Sequence, residues 1–385
     1  RSAAMLGAAL LAFDGLAVTM SRIAMLDIFL QFFVLLGVLA ILIDRDRMWR
    51  GTPAHPPIDD TGAGHRALPR LSRRWLWLAG LFLGLAVATK WSGLAPLGLA
   101  WAWVLASELW WRRRWTGGWT TDLPRAIARG FLALVAVPVL IYLISYVGWF
   151  ANLEHTRKAD RCTVVPDTTE ELAETPALPA GATGEGCEGL EAFRQVAEGW
   201  WEEQGEIFRF HRGLEAEHPY RAPATTWVLM TRPVAYYYES CASTREDRSE
   251  PCEVAEDHVA EVLGIGNPAM WWSALIGYPW LLWFAVRRRS WPAITIVLFL
   301  FGQALPYLLS PRPVFLFYMT PAVPFIGLSL AYLADRALDS ETMRWVPALI
   351  TVVSLVGFAF WAPLFLGLEI SSQLWDTLIF LPEWV

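Results

Sequence analysis

The sequence has no glycine-rich phosphate loop, neither a P-loop nor a GxGxxG arrangement, so nothing in it points to nucleotide hydrolysis or to a dinucleotide-binding fold. It has no internal repeat and no low-complexity array, which excludes a solenoid or a disordered scaffold. No basic patch of the kind that grips nucleic acid is present, and the formal net charge is −6. Charge itself is scarce. Only 18% of the 385 residues are charged, 55% are hydrophobic and 23 are Trp, with a mean hydropathy of +0.36. That balance excludes an ordinary soluble domain. Cysteine is scarce too: there are four, none of them in an apolar run. There is no signal peptide, and the chain opens on Arg1, with no Met, already inside a hydrophobic segment. We read it as a fragment of a longer chain.

What is present is a series of apolar runs long enough to cross a bilayer. The first two, roughly 3–20 and 23–43, form a hairpin. Lys and Arg in the short loops set the orientation. Asp44 to Arg74 is polar and strongly basic, and WWRRRW after Leu76 to Trp111 is basic as well. The chain must therefore cross the membrane an even number of times between them, so 76–111 is expected as two short helices. Their turn is expected near Thr89, Lys90, Trp91, Ser92 and Gly93, on the exterior side. A helix over about 127–149 leads out to a long polar segment. Helices follow at about 268–286, 291–309, 313–334 and 344–368, with cytoplasmic turns at Arg287, Arg288 and Arg289 and at Arg336 and Arg344. The expected fold is an all-α polytopic membrane protein. Residues 1–149 carry five membrane helices, 150–267 one large exterior loop, 268–368 four more helices and 369–385 an exterior tail.

The loop 150–267 holds 23 Asp and Glu against 10 Lys and Arg, the opposite balance to the cytoplasmic turns. Within it, 163–187 is rich in Pro, Gly, Thr and Glu and reads as mobile. Residues 188–217 set Trp200, Trp201, Ile207, Phe208 and Phe210 among charges, the pattern of an amphipathic helix at the membrane interface, with His218-Pro219 expected to end it. His218, Pro219 and Tyr220 are candidates for shaping an acceptor groove, although an interfacial anchor explains them equally well. All four cysteines, Cys162, Cys187, Cys241 and Cys252, lie in this loop, as an oxidising compartment requires. Nearest-neighbour pairing, 162–187 and 241–252, closes the smallest loops; a zinc site would need tighter spacing and nearby His. His155, His211 and His258 stand at no metal-ligand spacing and read as solvated.

Asp14, Arg22 and Asp27 interrupt the opening hairpin where charge is least tolerated, and an ionisable group at membrane depth marks a functional site. Arg22, Lys90 and Arg312 come from three exterior turns, with Asp14 and Asp27 beside the first. Such cations suit a lipid phosphate and would stabilise the charge that develops on a phosphate leaving group. A carboxylate beside them could accept the proton of an acceptor hydroxyl. The structural alternative is that Arg22 reaches for the headgroups and the two Asp pin the hairpin by ion pairing.

Five stretches, SRIAMLDIFL (21–30), GLAVATKWSGL (84–94), HPYRAPATTWVLMTRPVAYYY (218–238), GIGNPAMWW (264–272) and FLFYMTPAVPF (315–325), are similar to the bacterial branch of the protein O-mannosyltransferases. The resemblance spans nearly the whole chain apart from 45–74 and 163–200. It implies a GT-C-type transmembrane helix bundle, about nine helices here against eleven in the family. The implied reaction moves mannose, with inversion, from a polyprenyl-phosphate-mannose donor to Ser or Thr hydroxyls of exported proteins. By match to the family's hairpin motif, Arg22 and the acidic positions beside it belong to the active-site region at the extracytoplasmic face of the plasma membrane. Lys90 and Arg312 match basic positions near the donor phosphate.

The family's Asp-Glu pair in a first exterior loop has no counterpart here. The main catalytic carboxylates are thus expected upstream of Arg1, and the fragment alone is expected to be inactive. The exterior loop is too short for the β-trefoil domain of eukaryotic relatives. The secretion translocon is a further expected partner; no cofactor is firmly implied, and the pattern leaves a divalent metal undetermined. A GT-C enzyme moving another sugar or using a lipid acceptor is the nearer rival, and a secondary transporter the more distant one. Topology is testable directly: cysteine labelling should place 45–74, 112–126 and 287–290 in the cytoplasm and 150–267 outside. Labelling of position 90 from the cytoplasmic side alone would remove Lys90 from any exterior site.

Overall fold

The structure, a computed structural model, describes residues 2–50, 73–116, 123–151, 189–214, 217–241 and 254–384. Expectations for the polar stretch 163–187, for His155 and for Cys162, Cys187 and Cys252 fall outside these residues.

Apolar sequence becomes helix almost throughout, because in hydrocarbon each segment must satisfy its own backbone polar groups. The helices are α1 (Ser2–Ala12), α2 (Gly15–Arg22), α3 (Leu26–Arg50), α4 (Arg74–Thr89), α5 (Leu94–Thr116), α6 (Leu123–Phe131), α7 (Val137–Ser145), α8 (Val147–Ala151), α9 (Gly189–Arg212), α10 (Pro268–Val286), α11 (Trp291–Phe301), α12 (Leu305–Leu308), α13 (Val323–Ala337), α14 (Val346–Leu366) and α15 (Ser372–Leu378). Among the described residues, six helical stretches are long and apolar enough to cross a membrane: Leu26–Arg50, Leu123–Ser145, Pro268–Val286, Trp291–Leu308, Leu316–Ala337 and Val346–Leu366. Leu316–Ala337 is the most buried of them, and its helix α13 packs against α1, α10, α11 and α14. The expected pair within 76–111 is α4 and α5, separated by a 3₁₀ turn at Trp91–Gly93.

The opening run is not one straight helix. α1 and α2 pass as one span bent by 57°, and the break falls at Asp14, whose side chain caps α2 by accepting from the Ala17 N–H at 2.9 Å. α2 then ends in a Schellman motif: Met25 N–H bonds to Met20 O and Ala24 N–H to Ser21 O. Ala24 holds the left-handed position, φ 51°, where glycine is usual. That tight reversal separates Arg22, at the end of α2, from Asp27, in the first turn of α3.

The segment 150–267, expected as one large loop, contains strands that the sequence alone does not announce. β1 (Val234–Ser240) pairs antiparallel with β2 (His258–Gly264), with a bulge between Ala235 and Tyr237. β2 pairs in turn with β3 (Ile370–Ser371). The signal was the aromatic and β-branched run VAYYYES facing HVAEVLG. Because β3 belongs to the tail, loop and tail form one unit: Ser372 N–H and Oγ–H both donate to Asp257 O, each at 2.8 Å. The amphipathic helix is α9, but it stops at Arg212 rather than at His218-Pro219. Gly213 provides the earlier stop, its N–H bonding to Arg209 O at 2.9 Å.

Glu261 on β2 is 2% exposed and accepts from Trp375 Nε1 of α15 at 2.7 Å. Burial pushes its carboxyl up to about 7, with the Trp375 N–H opposing the rise. A raised acid stabilises the fold in its neutral form. That contribution is complete below the ordinary carboxyl range and is lost as pH climbs toward the folded value. Stability should therefore fall from about pH 4.5, the ordinary glutamate value, to about pH 7. Glu261→Gln should flatten the decline and be more stable at the alkaline end by on the order of 2 kcal/mol. Thermal unfolding in detergent across this range checks it; equal slopes for both proteins would remove Glu261 as the titrating group.

Candidate active site

The site begins where the apolar run of α4 gives out. Thr89 turns its hydroxyl back to Leu85 O at 2.8 Å, and Lys90 follows in extended backbone, φ −161° and ψ 136°. The return into α5 is tight: a Cβ on Gly93 would lie 2.7 Å from the backbone of Ala86 and Val87, so only glycine fits. This turn delivers Lys90 to Asp27. Its Nζ donates to both carboxylate oxygens at 2.9 Å, with the Asp27 side chain 2% exposed and that of Lys90 25%. The same ammonium lies 4.6 Å from the centre of the Tyr318 ring and 5.4 Å from that of Phe317. A buried carboxylate behind and aromatic faces in front fix where the cation points.

Arg312, from the SPRPV turn, approaches the same Tyr318 ring at 5.8 Å and donates from Nη1 to Nδ1 of His211 at 2.9 Å. Lys90 and Arg312 thus share one cavity of about 1090 Å³, lined also by Trp91, Tyr142, His211 and Tyr307. The opposite wall is hydrogen-bonded together. Trp91 Nε1 donates to Tyr142 Oη at 2.6 Å, and Tyr142 Oη donates to Gln204 Oε1 at 2.7 Å. That web ties the α4–α5 turn to α7 and α9. Burial, then the charges of Arg312 and Lys90, hold the His211 imidazole below its usual range.

The other predicted residues fall elsewhere. Asp14 is fully buried; besides capping α2 it accepts from Trp271 Nε1 at 2.7 Å and from Asn267 N–H at 3.2 Å. Asn267 in turn caps α10 and donates to Phe13 O and Ser354 O at 3.0 and 2.8 Å. Asp14 is thereby bound into a junction of α2, α10 and α14. Arg22 donates to Phe365 O near the end of α14 at 3.0 Å and does not line the cavity. His218 accepts from Tyr220 N–H at 3.2 Å and sets its ring against Phe315 at 4.9 Å. The segment it opens, including Pro219, runs beside the SPRPV turn through Ala222 N–H to Val314 O at 2.9 Å. Cys241 is disulfide-bonded; the other three cysteines lie outside the described residues. Among the described residues no group of His, Cys, Asp or Glu is placed to hold a metal ion.

Sequence reasoning missed Tyr318, His211, Asn267 and Trp271. Tyr318 and the Asn267–Trp271 pair stood inside the quoted stretches FLFYMTPAVPF and GIGNPAMWW, unassigned because sequence does not show what faces them. His211 carried no signal beyond its place on an amphipathic helix.

The fold matches a solved structure of the S. cerevisiae protein O-mannosyltransferase Pmt1-Pmt2 complex bound to the sugar donor. The TM-score is 0.70 at 13% identity, over 99% of this chain and 76% of that one. The chain therefore shares the fold of that membrane protein. Residues 1–150 match the family profile described as dolichyl-phosphate-mannose-protein mannosyltransferase, and 196–384 the one described as the C-terminal four TMM region of protein-O-mannosyltransferase. A polyprenol-phosphate-mannose–protein mannosyltransferase of Mycolicibacterium smegmatis is 30% identical over 96% of this chain and 70% of its own length. One of Corynebacterium glutamicum is 28% identical over 96% and 69%. The chain belongs to the protein mannosyltransferase family, and is a glycosyltransferase.

The Asp27–Lys90 pair makes a prediction of its own. Lys90→Met leaves Asp27 buried without a counter-ion and should lower stability by about 3–5 kcal/mol. Replacing both, Lys90→Met with Asp27→Leu, should restore most of that loss. Thermal unfolding of the purified proteins reads it, and additive losses in the double variant would show the two side chains to be uncoupled.

Proposed function

We propose that this chain transfers mannose, with inversion, from polyprenyl-phosphate-mannose to Ser or Thr hydroxyls of exported proteins at the extracytoplasmic face of the plasma membrane. The observation that carries the reading is the pair of cations, Lys90 and Arg312, on one cavity bordered by α9. The relatives' names supply the donor and the class of acceptor. A lipid-linked sugar phosphate presents a single anionic group next to the bond that breaks. As that bond lengthens, negative charge grows on the phosphate, and cations already aimed there lower the barrier without reorganising. The aromatic faces of Trp91, Tyr142 and Tyr318 suit the sugar and the first apolar units of the lipid.

The hairpin carboxylates fit supporting roles in this reaction. Asp27 holds Lys90, and Asp14 holds the α2–α10–α14 junction, so each has its oxygens engaged by the protein. We assign neither as the base that takes the acceptor proton. Arg22, exposed at the α2–α3 reversal and bonded to Phe365 O, lies outside this cavity, and we assign it no contact to the phosphate. An extracytoplasmic site is supported by the charge at the opposite end of the bundle, where Arg73 pairs with Asp44 at 2.7 Å and with Glu108, and Arg112 with Glu108 at 3.2 Å. Translocon association would follow if acceptors are modified during export.

Membranes carrying a full-length version of the protein, supplied with radiolabelled polyprenyl-phosphate-mannose and an exported Thr-rich peptide, should label the peptide. Arg312→Ala should reduce the rate per folded molecule by about tenfold or more. Label appearing in a lipid instead of the peptide would reassign the acceptor, and undiminished transfer by Arg312→Ala would move the phosphate site elsewhere.

A further inference from the structure

We propose that His211 is the positioning residue for Arg312: its neutral imidazole holds the guanidinium at the cavity without cancelling its charge, so that α9 sets the affinity of the site for the donor phosphate. The inference rests on the phosphate-binding reading of Arg312 given above.

A guanidinium has no lone pair and can only donate. At 2.9 Å from Arg312 Nη1, His211 Nδ1 is therefore the acceptor, which puts the ring proton on Nε2. A doubly protonated ring cannot make this bond. The comparison with Lys90 shows why the difference matters. Lys90 is neutralised by both oxygens of Asp27, so the pair presents a well-placed donor with little net charge. Arg312 is oriented by a neutral group and by the face of Tyr318, and keeps its full positive charge for an anion.

Among the described residues, every charged group that lines the cavity with His211 is a cation. They are Arg312 from the SPRPV turn, Lys90 from the end of α4 and Arg212 from α9 itself; the titratable phenols are Tyr307 and Tyr318 on one side and Tyr142 and Tyr146 on the other. No carboxylate lines the cavity among the described residues. Imidazolium is thus disfavoured there, in keeping with the lowered range of this group. When acid does protonate the ring, the acceptor is lost and like charge faces Arg312.

The link to α9 is mechanical as well as electrostatic. Gln204, two turns before His211, accepts from Tyr142 of α7 at 2.7 Å, and Phe208 and Phe210 are 55% and 65% exposed in the manner of an interfacial helix. A helix tied through Gln204 to α7 therefore carries the group that orients the phosphate-facing cation.

Equilibrium binding of radiolabelled polyprenyl-phosphate-mannose to the protein in nanodiscs tests this without requiring turnover. His211→Ala should weaken binding roughly five- to tenfold at neutral pH, and His211→Gln, which offers a carbonyl acceptor that does not titrate, should recover most of it. Wild-type affinity should fall on acidification below the ordinary histidine range, whereas that of His211→Gln should not. In an Arg312→Ala background, His211→Ala should cost nothing further. If Arg312→Ala weakens binding while His211→Ala does not, or if both wild type and His211→Gln keep the same pH profile, the positioning role is refuted and the phosphate site stands. If Arg312→Ala itself leaves binding unchanged, the phosphate reading fails and this inference with it.

Discussion

The salt bridge between Asp27 and Lys90 is the constraint around which the site is arranged. Each partner alone would be a charge at membrane depth, costing several kcal/mol or more; together, with both carboxylate oxygens on one ammonium, they are tolerated. The pair joins the first turn of α3 to the end of α4, elements far apart in sequence, and so fixes the reversal after Arg22 against the turn before α5. Once that is set, Tyr318 has a cation to face and the cavity has a floor. Asp27 is 2% exposed in its side chain and Lys90 25%, so the pair is sealed on the acidic side and open on the basic one.

Charge elsewhere in the bundle is managed differently. Asp14 meets no cation in its hydrogen-bonding set; it is satisfied by two backbone N–H groups and the indole of Trp271. At the other end of the bundle Asp44, Arg73, Glu108 and Arg112 form a network in which each side chain is less than 9% exposed. Removing any one member of such a cluster leaves its partner unpaired, which is more costly than never having had the pair. These groups position helices. The cations at the cavity instead line open space.

Much of this was legible in the chain. Apolar length and the basic loops yield the spans, and the parity of those loops forces the break at Lys90, where the structure has it. The HPY stretch and the SPRPV turn were seen as separate surface features, and packing makes them neighbours through Ala222 and Val314. What sequence could not show is partnership. Asp14 and Asp27 look alike as acids in an apolar hairpin, yet one meets Lys90, sixty-three positions on, and the other Trp271, further still. The sheet was missed for a related reason: β3 is two residues long and exists only because the tail returns to β2. The early stop of α9 turned on Gly213, a local signal outranked in the reading by the louder His-Pro.

Two cations at the proposed phosphate site need not do the same work. Lys90, balanced by Asp27, changes the local field little when an anion arrives, so its contribution is geometric: a donor held at a fixed place by a carboxylate and two aromatic rings. Arg312 is unbalanced, and a guanidinium offers parallel donors that match phosphate oxygens better than an ammonium can. Charge that grows on the leaving phosphate is felt most by the uncompensated group, since a dipole-like pair falls off faster with distance than a monopole. The turn bearing Arg312 is short and only partly buried, without a helix to stiffen it. Something must hold that side chain against solvent, and a carboxylate would hold it only by cancelling the charge the reaction uses. A neutral acceptor on a neighbouring helix meets both demands at once.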